Sequence, residues 1–491
     1  MKRLGWLSEP FFIYSDSLIQ RIYLIFRIII QKVKDEQKEI LHFCVLYQIK
    51  YNVYCVLYHI KTYICAIIIR VYMDIELLKK ILMDNRRMIS RIEFIERDIL
   101  LEEGLNYVFV GLRQAGKSFL MYQRIHQLLK AGHSMNEIVY LNLDDERLFG
   151  MSVDDLDSIL QAHYQLNDCT PILFLDEVQN IDHWEHFARR LANEKYRVYI
   201  TGSNAKMLSS EVATTLGGRY MIQEVYPYSF VEYLRANGLN LSKNWEYDSE
   251  VTNHIQRLFT AYFYYGGFPE SVPLLQKRSW LSVLYQKIFL GDLVTRYKIR
   301  NDISLKLLVK KMSESVKQPS SFTRLANIVS SAGQKIQTST VIEYVKYMEE
   351  TWLLFSMINY AAKFAEKESA KKYYFRDNGI LNLFLVDPET SLLENRVAIE
   401  LKKLYGEEVY FYNKSVEVDF YVPQLDWLIQ ASYSISNEET REREVTALLK
   451  VCKYVDAQRL TIITYNEEQT LQVNGKSIEI IPLWKWLLNI K

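Results

Sequence analysis

No CxxC pair occurs in the 491 residues, and the five cysteines show no even spacing. That argues against a disulfide framework and a structural zinc, and it fits a reducing cytosol. The eight histidines form no metal spacing either. "DHWEH", with His183 and His186, comes nearest, but a structural zinc normally takes four ligands. Charge of one sign is also missing: the formal net charge is +1. Nothing global advertises a nucleic-acid binder, although a local basic surface stays compatible with that balance. Internal repeats and low-complexity linkers are absent.

What is present is length and apolar content. The chain is too long for one core, so roughly two to four domains are expected, and 49% hydrophobic residues can fill them. Residues 1–72 differ from the rest. They are crowded with Ile, Tyr and Lys and hold Cys44, Cys55 and Cys65. The run "VYCVLYHIKTYICAIIIRVY" has the length of a membrane span, but His59, Lys61 and Arg70 interrupt it. A charge near the centre of a span costs about 3 kcal/mol, so a membrane role is not expected. No small-residue cleavage site follows, which argues against a signal peptide. The composition favours an ordinary cytoplasmic protein that starts at Met73, with 1–72 as a doubtful extension.

From Tyr107 a regular rhythm sets in. "DIELLKKILMDNRRMISRIEFIERDI" before it reads as a helical lead-in. "YVFVG", "IVYLNLDDE", "PILFLDE" and "RVYITGS" read as strands. "KSFLMYQRIHQLLKAG", "SVDDLDSILQAHYQL" and "HWEHFARRLANEK" between them read as helices, the first ending at Gly132 as a cap. Strands alternating with helices predict a parallel sheet covered on both faces. From about residue 250 helical periodicity dominates. From about 390 a mixed α/β pattern returns.

Residues 111–118, "GLRQAGKS", fit G-x-x-x-x-G-K-[ST] between a strand and a helix. Gly111 and Gly116 let the backbone of Leu112, Arg113, Gln114 and Ala115 curl so that N–H groups point at phosphate oxygens. The helix starting near Lys117, with Phe119 in its first turn, presents its positive end to the same anion. Lys117 reaches the β- and γ-phosphates, and the Ser118 hydroxyl ligates Mg²⁺. "PILFLDE" places Asp176 and Glu177 at a strand end, where open α/β sheets bind ligands. Asp176 would hold Mg²⁺ and Glu177 would polarise the attacking water. The bland alternative makes the pair a cap of the next helix. Ser203 and Asn204 end the next strand; they either touch the γ-phosphate or attacking water, or form a turn and helix cap. Arg219, after two glycines, either stabilises transition-state charge, in cis or across a subunit boundary, or pairs with a surface acid.

These elements, in this order, resemble the AAA+ superfamily, and within it a group of bacterial and archaeal AAA ATPases that carry a C-terminal domain of unknown function. The stretches that carry the resemblance are "VFVGLRQAGKS", "ILFLDEVQNIDHWE", "YITGSNAKMLSSEVATTLGGRY", "YPYSFVEYL", "YYGGFPES", "YFRDNGILN" and "TREREVTALL", spanning roughly 85–485. The resemblance implies ATP and Mg²⁺ bound by Gly111, Gly116, Lys117 and Ser118, with Asp176 and Glu177 as the acidic motif. Ser203 or Asn204 would be the γ-phosphate sensor and Arg219 a candidate finger, which favours assembly of several copies. Preference for ATP over GTP rests on the resemblance; no guanine-reading N/TKxD motif follows the fourth strand.

Farther on, "SSFTRLANIVSSAGQKIQTSTVIEYVKYMEETWLL" has helix-turn-helix spacing within a winged-helix pattern, with Thr340 and Glu343 as a capping box. Its second helix offers Glu343, Glu349 and Glu350 against Lys346, which favours protein docking over DNA contact; Arg324 and Lys335 are the cations a DNA reading would use. The last segment resembles a restriction-endonuclease-like core with Glu394 and Asp419. Gln430 and Ser432 stand where an active member places a Glu-x-Lys pair, so a scaffold is expected instead of a nuclease.

The fold expected is therefore multidomain α/β. Residues 73–235 form a P-loop NTPase, AAA+-like parallel sheet with flanking helices. Residues 236–385 form a helical and winged-helix-like domain, and 386–491 an α/β restriction-endonuclease-like domain. The expected activity is Mg²⁺-dependent ATP hydrolysis acting as a switch on an unknown protein or on DNA. A nucleotide-gated DNA-binding regulator and an ATP-binding protein without turnover stand as alternatives.

Overall fold

A computed structural model describes residues 74–202, 214–363 and 370–490. The expectations for 1–72, and those for Ser203 and Asn204, lie outside the described residues.

Helix α1 (Ile75–Ile89) starts at Asp74, whose side chain accepts from the Glu76 N–H at 3.0 Å. The helical lead-in stops there. Residues 92–100 are non-helical, against expectation, and the buried Arg97 on this stretch explains why. Its backbone N–H turns to Gln123, and its guanidinium reaches Ala115 O, Tyr226 O and Glu232.

The first sheet holds β1 (Asn106–Val110), β2 (Ile138–Asn142), β3 (Ile172–Asp176), β4 (Arg197–Gly202) and β5 (Tyr220–Glu224). Its order is β2-β3-β4-β1-β5, and all pairs are parallel. Helices α2 (Lys117–Lys130), α3 (Asp157–Leu166) and α4 (Trp184–Asn193) connect these strands. Met121, Ile125 and Leu128 recur at one-turn spacing on α2 and are buried, so this face packs on the sheet. The fully buried central strands explain their near-continuous apolar runs.

Helices α5 (Phe230–Ala236), α6 (Ser249–Tyr265), α7 (Lys277–Lys287) and α8 (Asp302–Glu314) follow. After Lys287 the chain widens into a π-helical stretch, Ile288–Thr295. A period of 3.6 does not continue through "SWLSVLYQKIFLGDLVTRY" as its sequence suggests. Next come β6 (Ser320–Ser321), α9 (Phe322–Ser331), α10 (Thr338–Glu350), β7 (Leu354–Met357) and β8 (Ala370–Phe375), with sheet order β6-β8-β7. Helix α10 begins two residues before Thr340, after Gln337, with no side-chain cap. The expected Thr340–Glu343 capping box is therefore absent.

The short α11 (Asn378–Leu381) and long α12 (Glu389–Tyr405) lead into a six-stranded sheet. Its strands are β9 (Tyr410–Asn413), β10 (Glu417–Val422), β11 (Trp427–Ala431), β12 (Arg459–Thr464), β13 (Gln469–Val473) and β14 (Lys476–Pro482), in the order β13-β14-β12-β11-β10-β9. Helices α13 (Glu438–Val451) and α14 (Leu483–Asn489) complete it. One buried apolar cluster runs from Leu78 to Leu487, and a second lines the other face of this last sheet. Residues 73–491 form one compact unit. No helix among the described residues is long and apolar enough to cross a membrane.

Candidate functional site

The 111–118 loop joins the carboxyl end of β1 to α2. Gly111 has φ +142°, and a Cβ there would lie 2.3 Å from Val225 O. Val225 in turn donates its N–H to Val110 O at 2.7 Å. The loop therefore turns against the backbone that leaves β5, and only glycine fits. Gly111→Ala is expected to lower stability by about 1–3 kcal/mol and to impair phosphate binding; a thermal melt with and without ATP checks both. Gly116 takes φ +98° immediately before α2, beside Arg97 and Pro269.

Lys117 is 4% exposed. Its ammonium donates to Gly111 O and Leu112 O, each at 3.1 Å. Burial pulls its pKa below the ordinary lysine value, while Glu177 and Asp176 oppose that shift. The Lys117 ammonium and the acid pair thus lie within electrostatic reach of one another. Ser118 is half-buried and Phe119 exposed in the first turn of α2. Gln114 donates to Glu270 at 3.2 Å, and Arg113 grips Asp292 through two bonds of 2.8 Å.

Asp176 ends β3 and is 1% exposed. Tyr140 donates its hydroxyl to Asp176 Oδ2 at 2.7 Å, and the Thr201 hydroxyl donates to Oδ1. Burial and the nearby Asp176 charge raise the Tyr140 pKa, which keeps this donor protonated. The same Thr201 oxygen accepts the Glu177 N–H at 2.9 Å. Glu177 itself sits at φ +54°, a left-handed conformation that a glutamate rarely adopts. Its carboxylate accepts from the Gln179 amide.

In the sheet, the strand between the loop strand β1 and the acidic strand β3 is β4. Thr201 sits near its carboxyl end and ties the two acids down. Sequence reasoning missed Thr201, although it stands within the quoted "RVYITGS". It also missed Tyr140 on β2 and Arg97. Thr201→Val should leave ATP affinity within about threefold and slow turnover roughly 10–100-fold, the usual cost of losing such support. Steady-state kinetics read both.

The structure brings the 111–118 loop, Asp176 and Glu177 to one edge of the sheet. It does not bring Arg219 there. β1 and β5 run in register from the Asn106–Tyr220 pair to the Val110–Glu224 pair. Arg219 precedes β5, so it lies about 17 Å along the strand from the loop end. It is exposed and donates to Gly217 O at 3.2 Å. An oxygen-only donor set, Ser118 hydroxyl and Asp176 carboxylate, suits a hard cation such as Mg²⁺. His183, Glu185 and His186 place ligand atoms within 4.8 Å of one another, but both histidines are exposed and the set holds three ligands, not four.

A second charged cluster lies in the C-terminal sheet. Glu394 on α12, Glu417 and Asp419 on β10 surround Lys372, which comes from β8 and is 0% exposed. The ammonium lies 3.0, 2.9 and 3.3 Å from the three carboxylates. Burial opposes its charge, yet the acids hold its pKa well above the ordinary value. Burial, then Asp419, pushes Glu394 up to about 7. Gln430 is taken up internally: it accepts from Asp419 N at 2.9 Å and donates to Glu444 at 2.8 Å. Ser432 bonds Ser434 O at 3.2 Å. The cluster borders a cleft of about 820 Å³.

The outer face of α9 and α10 is mixed. Ile342, Glu343 and Lys346 are exposed on α10, and Arg324 and Lys335 are exposed nearby. Lys346 lies 3.8 Å from Glu350.

A family model described as an AAA domain matches residues 105–234, and a domain of unknown function matches 256–390. An uncharacterized protein of Methanocaldococcus jannaschii is 31% identical over 429 residues, covering 84% of this chain and 95% of its own length. An uncharacterized protein of Haemophilus influenzae is 28% identical over 419 residues, 82% of this chain and 100% of its own. Among solved structures, a Walker-type ATPase of Pyrococcus abyssi aligns at 12% identity and a TM-score of 0.38, over 60% of this chain and 99% of its own.

Proposed function

We propose that this chain, which belongs to the AAA+ family of P-loop ATPases, binds ATP with Mg²⁺ on the 111–118 loop and hydrolyses it as a switch on a macromolecular partner. One observation carries the reading. The loop, the buried Lys117 and the Thr201-tethered acids Asp176 and Glu177 converge at the carboxyl edge of a single parallel sheet.

The N–H groups of the loop and the start of α2 take the phosphate oxygens. Lys117, now spent on two carbonyls of its own loop, turns its donors to the β- and γ-phosphates, which also favour its charged form. Ser118 and Asp176 would hold Mg²⁺, which supplies charge neutralisation on the phosphates. Glu177 orients and polarises the water that attacks the γ-phosphate. Ser203 and Asn204, following β4, are assigned to sensing that phosphate. Arg219 is assigned to the phosphate site of a neighbouring copy, since its own chain keeps it away from the loop.

The segment 302–375 has the helix, strand, helix, helix, strand, strand order of a winged helix. We assign it to protein docking, because exposed Ile342 and Glu343 give α10 little to offer a phosphate backbone. The C-terminal sheet is assigned a scaffold role. Equilibrium binding tests the site. The full chain should bind Mg²⁺-ATP, and Lys117→Ala should weaken it about 100-fold, as expected for charge-assisted bonds to phosphate. Equal affinity in both proteins would refute it.

A further inference from the structure

The tip of the phosphate loop is held by the helical region, and the grip is specific. Arg113 Nε and Nη2 each lie 2.8 Å from one oxygen of Asp292, a fork-to-fork pair. The Asp292 side chain is 6% exposed. It sits in the π-helical stretch Ile288–Thr295, a distortion that often marks functional sites. Arg113 also has Glu177 and Asp144 within electrostatic reach.

A second arginine waits on the same carboxylate. Arg296 Nη2 donates to Asp292 Oδ1 at 3.1 Å, the oxygen that Arg113 Nη2 already uses. Arg296 Nη1 is buried and makes no hydrogen bond among the described residues. Buried unpaired donors are rare and call for a reason. Here one is at hand. If Arg113 left, Asp292 Oδ2 would be free for Arg296, and the buried carboxylate would stay paired.

We propose that Arg113 is a phosphate-reading residue that exchanges Asp292 for the γ-phosphate of bound ATP, while Arg296 takes over Asp292. This rests on the ATP-binding reading above and adds its regulation. The exchange swaps one bidentate anion for another, so it costs little and depends on a third phosphate being present. Asp292 is the positioning residue that sets the resting state. Release of Arg113 loosens the π-helical stretch from the loop. That stretch continues to Tyr297, whose ring stacks on Tyr347 of α10 at 3.8 Å and whose hydroxyl donates to Glu350 at 2.6 Å. The helix-turn-helix region thereby feels whether the loop holds ATP or ADP.

The test compares affinities of the full chain for a non-hydrolysable ATP analogue and for ADP, each with Mg²⁺. Arg113→Met should cut the preference for the triphosphate about tenfold, the worth of a charge-assisted pair. Asp292→Asn should shift it the other way, with tighter triphosphate binding and unchanged ADP binding. Arg113→Lys, which keeps charge without the fork, serves if Arg113→Met melts early. A merely structural role for Asp292 would move both nucleotides together, and an unchanged preference in the variants would overturn the inference alone. No Lys117-dependent binding of either nucleotide would overturn the ATP-site reading, and this inference with it.

Discussion

Glu177→Gln is expected to bind ATP within about threefold of wild type and to hydrolyse it roughly 10²–10⁴ times more slowly, the range for loss of a general base. The exchange keeps the shape and removes only the charge. It leaves the Glu177 N–H on Thr201, and the left-handed backbone at φ +54° costs glutamine about what it costs glutamate. Strain at a non-glycine residue persists where the surroundings enforce it and often marks a site of function. Here Thr201 enforces it from β4, bonding both Asp176 and the Glu177 N–H. A parallel loss of binding and turnover in Glu177→Gln would assign the residue to nucleotide binding and remove it from the water-activating role.

Lys372→Met should destabilise the chain by about 3–5 kcal/mol, the usual cost of removing one partner from a buried charged cluster. That is a large share of a typical folding free energy of about 5–15 kcal/mol. Lys372 is fully buried, and without it the carboxylates of Glu394, Glu417 and Asp419 would face one another without a cation. Adding Glu394→Gln to Lys372→Met should recover part of the loss, since it removes one of the repelling charges. Urea midpoints of wild type, the single variant and the double variant read this directly. An unchanged midpoint in Lys372→Met would show that the lysine does not hold β8 to α12 and β10.

The loop and its acids were legible because their chemistry is local. A strand, a glycine turn and a helix start fall within 106–125, and "PILFLDE" is a short apolar run with its acids at the end. The supporting residues were not legible in this way. Lys372 meets Glu394 and Asp419 across 22 and 47 residues of chain, and Arg97 meets Glu232 across 135. Such pairings come from topology and leave no spacing to read. Strand β5 escaped because it is an edge: Met221 and Ile222 are both exposed, so no alternation appears. The Thr340 cap failed because α10 starts earlier, where Gln337 supplies no side-chain bond. Arg219 follows two glycines in an order that the family resemblance made meaningful, but strand register sets it at the opposite edge from the loop.

ATP turnover at the 111–118 loop is tested most directly by steady-state hydrolysis with the full chain and Mg²⁺, beside Lys117→Ala. Turnover should require Mg²⁺ and disappear with the Lys117 ammonium. Hydrolysis that survives Lys117→Ala, or a folded wild-type chain that binds ATP without turning it over, would contradict the assignment of this loop and its acids to catalysis.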